Sequence, residues 1–272
     1  MKLNFWKMHG LGNDFVVLDS RRSGYIPDSA TAARLCRRHF AIGADQVLVL
    51  LPSRKADYRM VILNADGGEV EMCGNGIRCL ARFLQIRRIS RKSRFRIETL
   101  AGIIAPEIQG ERVRVDMGEP VFDPARIPVA LSEAPQNRLL EVDGHRWSIT
   151  ALSMGNPHCV IPVEVVDGVP LAQLGPRLEH HPLFPRRANI EFVEAQGRKR
   201  LKVRVWERGA GETLACGTGA CAALVAMNKL GQCDRKATVA LPGGELEIEW
   251  LETNHVLMTG PAEMVFQGTI AL

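Results

Sequence analysis

Apolar residues in this chain come in short runs separated by polar ones, and the spacing of the runs repeats. Val47–Leu51 and Ile190–Val193 are β-rich segments that each follow an amide side chain, Gln46 and Asn189. Arg59–Leu63 and Lys202–Trp206 read as strands ending at Asn64 and Glu207. Ile77–Arg88 and Ala220–Leu230 carry helical spacing, and Gly231 stands where a helix would close. Late in each series, Arg112–Met117 and Leu246–Trp250 alternate as strands. A shift of 143 residues lays Gly68–Gly76 over Gly211–Gly219 with five of nine positions identical, Cys73-Gly74-Asn75-Gly76 over Cys216-Gly217-Thr218-Gly219. Chance would give roughly one in fifteen. The same shift pairs Asn13 with Asn156, Gln46 with Asn189 and Asn64 with Glu207, while identity elsewhere stays at chance level. The pattern predicts two pseudo-symmetric α+β domains, residues 1–118 and 119–261, each with many strands and a central helix. The three prolines within Pro120–Pro128 mark the expected linker, and residues 262–272 are expected to return to the first domain.

Composition narrows the class. With 272 residues and 46% hydrophobic content the chain can bury a core and is not disordered. Its longest apolar runs, such as Ala220–Met227, fall far short of the roughly 20 residues of a membrane span. The start, Met1-Lys2-Leu3-Asn4-Phe5-Trp6-Lys7, lacks the apolar core of a signal peptide, so a cytoplasmic location is expected. Seven cysteines, an odd number, then read as reduced thiols. The net charge of +5 invites a nucleic-acid reading, but six basic residues between Arg87 and Arg96 account for it; without them the charge would be −1. No aromatic interleaving accompanies this stripe, so no nucleic-acid partner is expected.

The repeated Cys-Gly-x-Gly carries the candidate chemistry. A cysteine opening a helix sits against unpaired amides and the positive end of the macrodipole, which lowers a thiol pKa, and the glycines let an anion approach those amides. Two copies place two thiols and two helix N-termini toward a shared interface. A thiolate on one face of a carboxylate-bearing carbon could remove the α-proton while a thiol on the other face delivers one, with the helix ends stabilising the developing charge. No dinucleotide fingerprint or Walker motif is present and no Cys/His spacing suits zinc, so neither cofactor nor metal is expected. Cys36, Cys79, Cys159, Cys221 and Cys233 read as ordinary core or surface thiols.

Lys7–Phe15, Ile42–Gln46, Asn64–Gly67 leading to Met72–Gly76, Gly155–His158, Ala188–Phe192, and Glu207–Gly209 leading to Ala215–Gly219 together resemble the bacterial diaminopimelate epimerases, along essentially the whole chain. The resemblance implies two domains, each a mostly antiparallel sheet wrapped around a central helix. It also implies a cofactor-independent, homodimeric epimerase that interconverts LL- and meso-2,6-diaminopimelate in lysine and peptidoglycan-precursor synthesis. Cys73 and Cys216 then match the catalytic thiols, the first usually written as donor and the second as acceptor. His158 and Glu207 match positions thought to tune them, and amides of Gly74, Asn75, Gly217 and Thr218 would hold the reacting carboxylate. Asn13, Gln46, Asn64, Asn156, Asn189, Glu207 and Arg208 match substrate-binding positions, with Arg208 suited to the distal carboxylate and Glu207 to an ammonium. Phe266 stands near a position where relatives often carry Tyr in the dimer contact. Two alternatives stay open: a proline or hydroxyproline racemase on the same scaffold, and a thiol-redox or basic binding protein without turnover.

Overall fold

A computed structural model describes residues 2–71, 73–133 and 135–272; Met1 and Met72, both quoted above, lie outside the described residues. Two compact units emerge, Met1–Asp116 with Thr259–Leu272, and Met117–Met258. The proline-rich segment 120–128 belongs to the second. The first unit runs β1 (Lys2–Gly10), β2 (Asn13–Asp19), α1 (Ser29–Cys36), β3 (Gln46–Leu51), β4 (Tyr58–Asn64), α2 (Gly74–Ile86), β5 (Ile97–Thr99), β6 (Gly102–Ile104), β7 (Glu107–Gln109) and β8 (Arg112–Asp116). The second runs β9 (Arg138–Val142), β10 (His145–Ser153), β11 (Pro157–Val163), α3 (Leu171–Glu179), β12 (Asn189–Ala195), β13 (Arg200–Glu207), β14 (Gly211–Thr213), α4 (Gly217–Lys229), β15 (Lys236–Leu241) and β16 (Gly244–Trp250). Then β17 (Val256–Pro261) leads back and β18 (Glu263–Ala271) completes the first unit.

The first unit's sheet has the order β18-β1-β2-β3-β4-β5-β6, and the second contains β17-β16-β15-β13-β12-β11-β10-β9 with β14 beside β13. Most neighbours are antiparallel, but each sheet holds parallel steps: β2 with β3 and β4 with β5 in the first, β11 with β12 and β13 with β15 in the second. Registers repeat under the 143-residue shift: Phe15 lies opposite Gln46, and His158 opposite Asn189. The helices α2 and α4 coincide under it end for end.

The central stretches of β2 to β4, Phe15–Leu18, Val47–Leu51 and Met60–Leu63, are continuously apolar because both faces are covered. Val16, Leu18, Val47, Val49, Val61 and Leu63 pack with Ala32 and Leu35 of α1. Phe15 and Leu48, which point the other way, lie under Gly76 of α2. In the second unit, Ala151, Cys159, Ile161, Ile190 and Phe192 share a core with Leu171, Leu174 and Leu178 of α3, leaving α4 to the opposite face. Residues Gly219 to Met227 are all buried, so α4 has no polar stripe to show.

Both long helices begin three residues before the point the apolar spacing marks. Cys73 and Cys216 are their N-caps, in extended conformation, and each sulfur accepts the amide hydrogen three residues on, Gly76 N at 3.4 Å and Gly219 N at 3.3 Å. Sulfur thus fills the role usually taken by a serine or aspartate oxygen. At the other end α4 closes as expected, with Gly231 at φ +72°. Its counterpart under the shift, Arg88, takes the left-handed conformation at φ +52° without a glycine's freedom.

Candidate active site

In the first unit the starts of β2 and β3, the end of β4 and the first turn of α2 bring five expected residues together. Asn13 Oδ1 accepts from Asn75 Nδ2 at 3.1 Å and lies 3.7 Å from the half-buried Cys73 Sγ. On the neighbouring rungs, Gln46 Nε2 donates to Asn64 Oδ1 at 2.8 Å, and Gln46 Oε1 is buried with no hydrogen-bond partner among the described residues. Two residues outside the expected set fix the way these amides face. Asp45 Oδ2 accepts from Asn13 Nδ2 at 2.8 Å, so the carbonyl of Asn13 turns toward the thiol. Arg78, fully buried, donates from Nη2 to Asn75 Oδ1 at 2.9 Å, and from Nε and Nη1 to the carbonyls of Pro261 and Gly74. A guanidinium cannot accept, which leaves Asn75 its NH2 group for Asn13.

Behind Asn13, Asp14 is gripped by Lys7 at 2.6 Å and Arg38 at 2.7 Å. Burial alone would raise its carboxyl; the hydrogen bonds from Arg38 and Lys7 overcome that and hold it at about 2 rather than 3.8. A lowered acid contributes stability that is complete above its unfolded value and drains away as pH falls through the folded one. Asp14→Asn is therefore expected to cost about 1–2 kcal/mol at neutral pH, discounted because Arg38 is largely solvated. In urea titrations this gap from the wild type should close as pH falls from about 4 toward 2; a gap that persists at the acid end would refute the assignment.

The second unit repeats the frame with different groups. Cys216 is 4% exposed, its sulfur 3.5 Å from Thr218 Oγ1, and it faces the half-buried carboxylate of Glu207, which accepts from Thr213 Oγ1 at 2.5 Å. His158 is fully buried, with Nδ1 2.7 Å from Glu191 Oε1 and Nε2 2.9 Å from Asn156 Oδ1. Asn189 is spent on backbone: Nδ2 donates to Pro157 O and Oδ1 accepts from Arg208 N. The Arg208 side chain is exposed and donates to Arg186 O. The turn that carries it is held by the buried Glu179, which accepts from Trp206 Nε1 at 2.8 Å and Gly209 N at 3.0 Å.

For Cys216 the expected direction of the thiol shift is reversed. Burial first, then the carboxylates of Glu207 and Glu191, push it well above the ordinary thiol value, against smaller opposing pulls from Thr218 and the Gly219 amide. A helix dipole is worth about half a charge, and two nearby carboxylates outweigh it. Burial likewise raises Glu207. Of the cysteines with no expected role, burial raises Cys36 to about 11 and Cys233 to about 12, and lifts Cys79 and Cys159 as well. Among the described residues no cluster of three His, Cys, Asp or Glu side chains is arranged to hold a metal ion.

Arg78, Glu191, Glu179 and Asp45 are the structural groups that motif reading passed over. For Arg78 and Glu191 the signal is a charge within a buried segment: Arg78 within Ile77–Leu84, and Glu191 between Ile190 and Phe192.

Comparison with known proteins agrees with this architecture. The family described as diaminopimelate epimerase matches residues 5–122 and 150–265. A diaminopimelate epimerase from Synechococcus elongatus is 52% identical over 280 residues, covering all of this chain and 99% of the relative. Among solved structures, a phenazine biosynthesis protein of the PhzF family from Bacillus anthracis superposes with a TM-score of 0.74 at 19% identity, covering both chains fully. A hydroxyproline epimerase from Agrobacterium vitis gives 0.70 at 12%, covering all of this chain and 93% of the other. At such identities these two speak for the fold alone.

Proposed function

The chain belongs to the diaminopimelate epimerase family, and we propose that Cys73 and Cys216 are the two acid–base groups with which it inverts the α-carbon of its substrate. The reaction is the interconversion of LL- and meso-2,6-diaminopimelate, a step of lysine biosynthesis. Inversion needs a proton acceptor on one face of the carbon and a donor on the other. In this reading one thiolate takes the α-proton, forming S–H as C–H breaks, and the electron pair passes into the adjacent carboxylate. The second thiol then gives its proton to the opposite face, and a thiolate remains where the thiol had been. No further reactant is consumed.

The single observation that carries this is the repeated cap: in both units a cysteine sulfur begins a long buried helix whose first-turn amides, at Gly74–Asn75 and Gly217–Thr218, point at the helix end. Those amides would stabilise the carboxylate as charge develops on it. Glu207 faces Cys216 and, with its proton affinity raised by burial, is suited to take that thiol's proton when Cys216 acts as the acceptor; reversal of the reaction exchanges the roles of the two thiols. His158 and Glu207 tune the thiols, Asn13, Gln46, Asn64, Asn156 and Asn189 frame the substrate, and Arg208, exposed on its turn, receives the distal carboxylate.

We also infer a homodimer in a reducing cytoplasm. The first rests on β18, an outer strand of its sheet with Val265 and Phe266 exposed. The second rests on seven cysteines that are all thiols. As for membranes, no helix among the described residues is long and apolar enough to cross one.

Incubation in D2O with LL- or meso-diaminopimelate tests the chemistry: the reduced protein is expected to place deuterium at the α-carbon and mix the isomers, as read by NMR. No exchange with either isomer would overturn the reading, and exchange of proline in its place would move the chain to a racemase.

A further inference from the structure

Under the first turn of α4 lies a carboxylate that has no counterpart in the first unit. Glu191 and His158 are both fully buried and joined at 2.7 Å. Shifted back by 143 residues, His158 falls on Phe15 and Glu191 on Leu48. Contacts confirm the equivalence: a Cβ on Gly76 would meet Leu48 Cδ2 at 3.1 Å and Phe15 Cε1 at 3.5 Å, and one on Gly219 would meet Glu191 Oε1 at 2.8 Å. The thiol cap of α2 therefore stands over an apolar floor, and that of α4 over an acid–imidazole pair. The pair is not kept for packing. Glu191 Oε2 is buried with no hydrogen-bond partner among the described residues, and a leucine such as Leu48 fills this place in the fold without burying a charge.

Donor and acceptor accounting says what the pair does. His158 faces a carboxylate oxygen at Nδ1 and the amide oxygen of Asn156 at Nε2. With an acceptor on each side, either the ring donates from both nitrogens or Glu191 carries the proton to Nδ1 while Nε2–H still donates. In both cases Nε2–H holds Asn156 Oδ1, and the NH2 end of Asn156 is the one turned away from the ring. Without Glu191 a neutral ring could take the other tautomer and Asn156 could turn round. In the first unit the equivalent amide is pinned the opposite way: Asp45 takes the NH2 end of Asn13, whose Oδ1 faces Asn75 and Cys73.

We propose that Glu191 is a positioning residue that, through His158, fixes the amide sense of Asn156, so that this asparagine offers the substrate a donor where Asn13 offers an acceptor. Other titratable groups near Glu191 are Cys159 on β11, Glu207 on β13 and Cys216 at the start of α4. The proposal rests on the epimerase reading and deepens it: the two halves share a backbone frame but present opposite hydrogen-bonding ends, which sets the orientation in which a carboxylate-bearing substrate is accepted.

A double-mutant cycle tests it. Glu191→Leu and Asn156→Ala are each expected to raise KM for diaminopimelate about tenfold or more, a larger factor than any fall in kcat. Because both break one chain, the double variant is expected within about twofold of the worse single. His158→Phe with Glu191→Leu copies the floor of the first unit; it is expected to unfold cooperatively in urea and to show the same KM defect, and it carries the test should Glu191→Leu fail to fold. Multiplying effects of Glu191→Leu and Asn156→Ala, or a wild-type KM in Glu191→Leu or in the floor-copy variant, overturn the proposal. Absence of α-exchange in the wild type instead counts against the epimerase reading, so the two failures are told apart.

Discussion

Cys73→Ala and Cys216→Ala are each expected to lower isomer interconversion at least about a thousandfold, because a positioned acid or base contributes on the order of 10²–10⁴ and inversion needs one on each face. Neither substitution should unfold the protein. Each thiol caps its helix by accepting one amide hydrogen bond, at 3.4 Å for Cys73 and 3.3 Å for Cys216, and losing a cap of this kind costs about 1 kcal/mol. The loss is thus one of rate, separable from folding by a urea midpoint close to that of the wild type.

Isotope exchange makes the prediction sharper than loss of activity does. With one thiol gone, the other can still take a proton from the face it addresses and return a deuteron to the same face, washing label into the substrate without inverting it. Residual exchange is therefore expected with only one isomer in each variant, and with opposite isomers in the two. Exchange of the same isomer by both variants, or interconversion at a wild-type rate in either, would sink the two-thiol assignment.

Much of this was legible in the chain because the 143-residue shift aligns groups the fold then uses in the same places: both cysteines as caps, Asn13 and Asn156 as amides beside them, and the β2/β3 and β11/β12 registers. Glycines at 74, 76, 217 and 219 hide the first turn of each long helix from apolar spacing, which therefore marks a later start. The thiol shift of Cys216 runs opposite to the one its helix end implies for a physical reason: a helix end is visible in sequence, but Glu191 lies 25 residues away and reaches the thiol only through the packing of β12 against α4. In the same way the alternation Ile190, Glu191, Phe192 suggests an outward-facing acid, whereas this strand is covered on both faces. What could have exposed it is the shift itself, which sets Glu191 against Leu48 and Arg78 against Cys221: a charge in one half facing an apolar residue in the other is a place where the halves have diverged in task.

Arg78→Met is expected to be the most damaging of the single substitutions for stability, lowering it by about 3–5 kcal/mol, the range found when one partner of a buried charged network is removed. Methionine fills similar volume and relieves the protein of a buried charge, which argues for a smaller loss. Against that, Asn75 Oδ1 stays buried and the half-buried Pro261 carbonyl is left without this donor, each costing about 1–3 kcal/mol, while the Gly74 carbonyl keeps the helical hydrogen bond from the Arg78 amide. The Pro261 carbonyl is backbone and cannot be substituted away, so the orphaned acceptors win. Trp6 packs edge-on to Phe83 of α2 at 5.0 Å, and its fluorescence can follow the first unit's unfolding in urea. Activity should fall further than the folded fraction accounts for: with Arg78 gone Asn75 can turn its amide, and Asn13 loses one of the two contacts that aim its carbonyl at Cys73. Asn75→Ala alone removes the acceptor together with that contact, so adding it to Arg78→Met should cost less than it does in the wild type. A midpoint for Arg78→Met within about 1 kcal/mol of the wild type would mean that the carbonyls find other donors and that the guanidinium is not what holds this corner of the site.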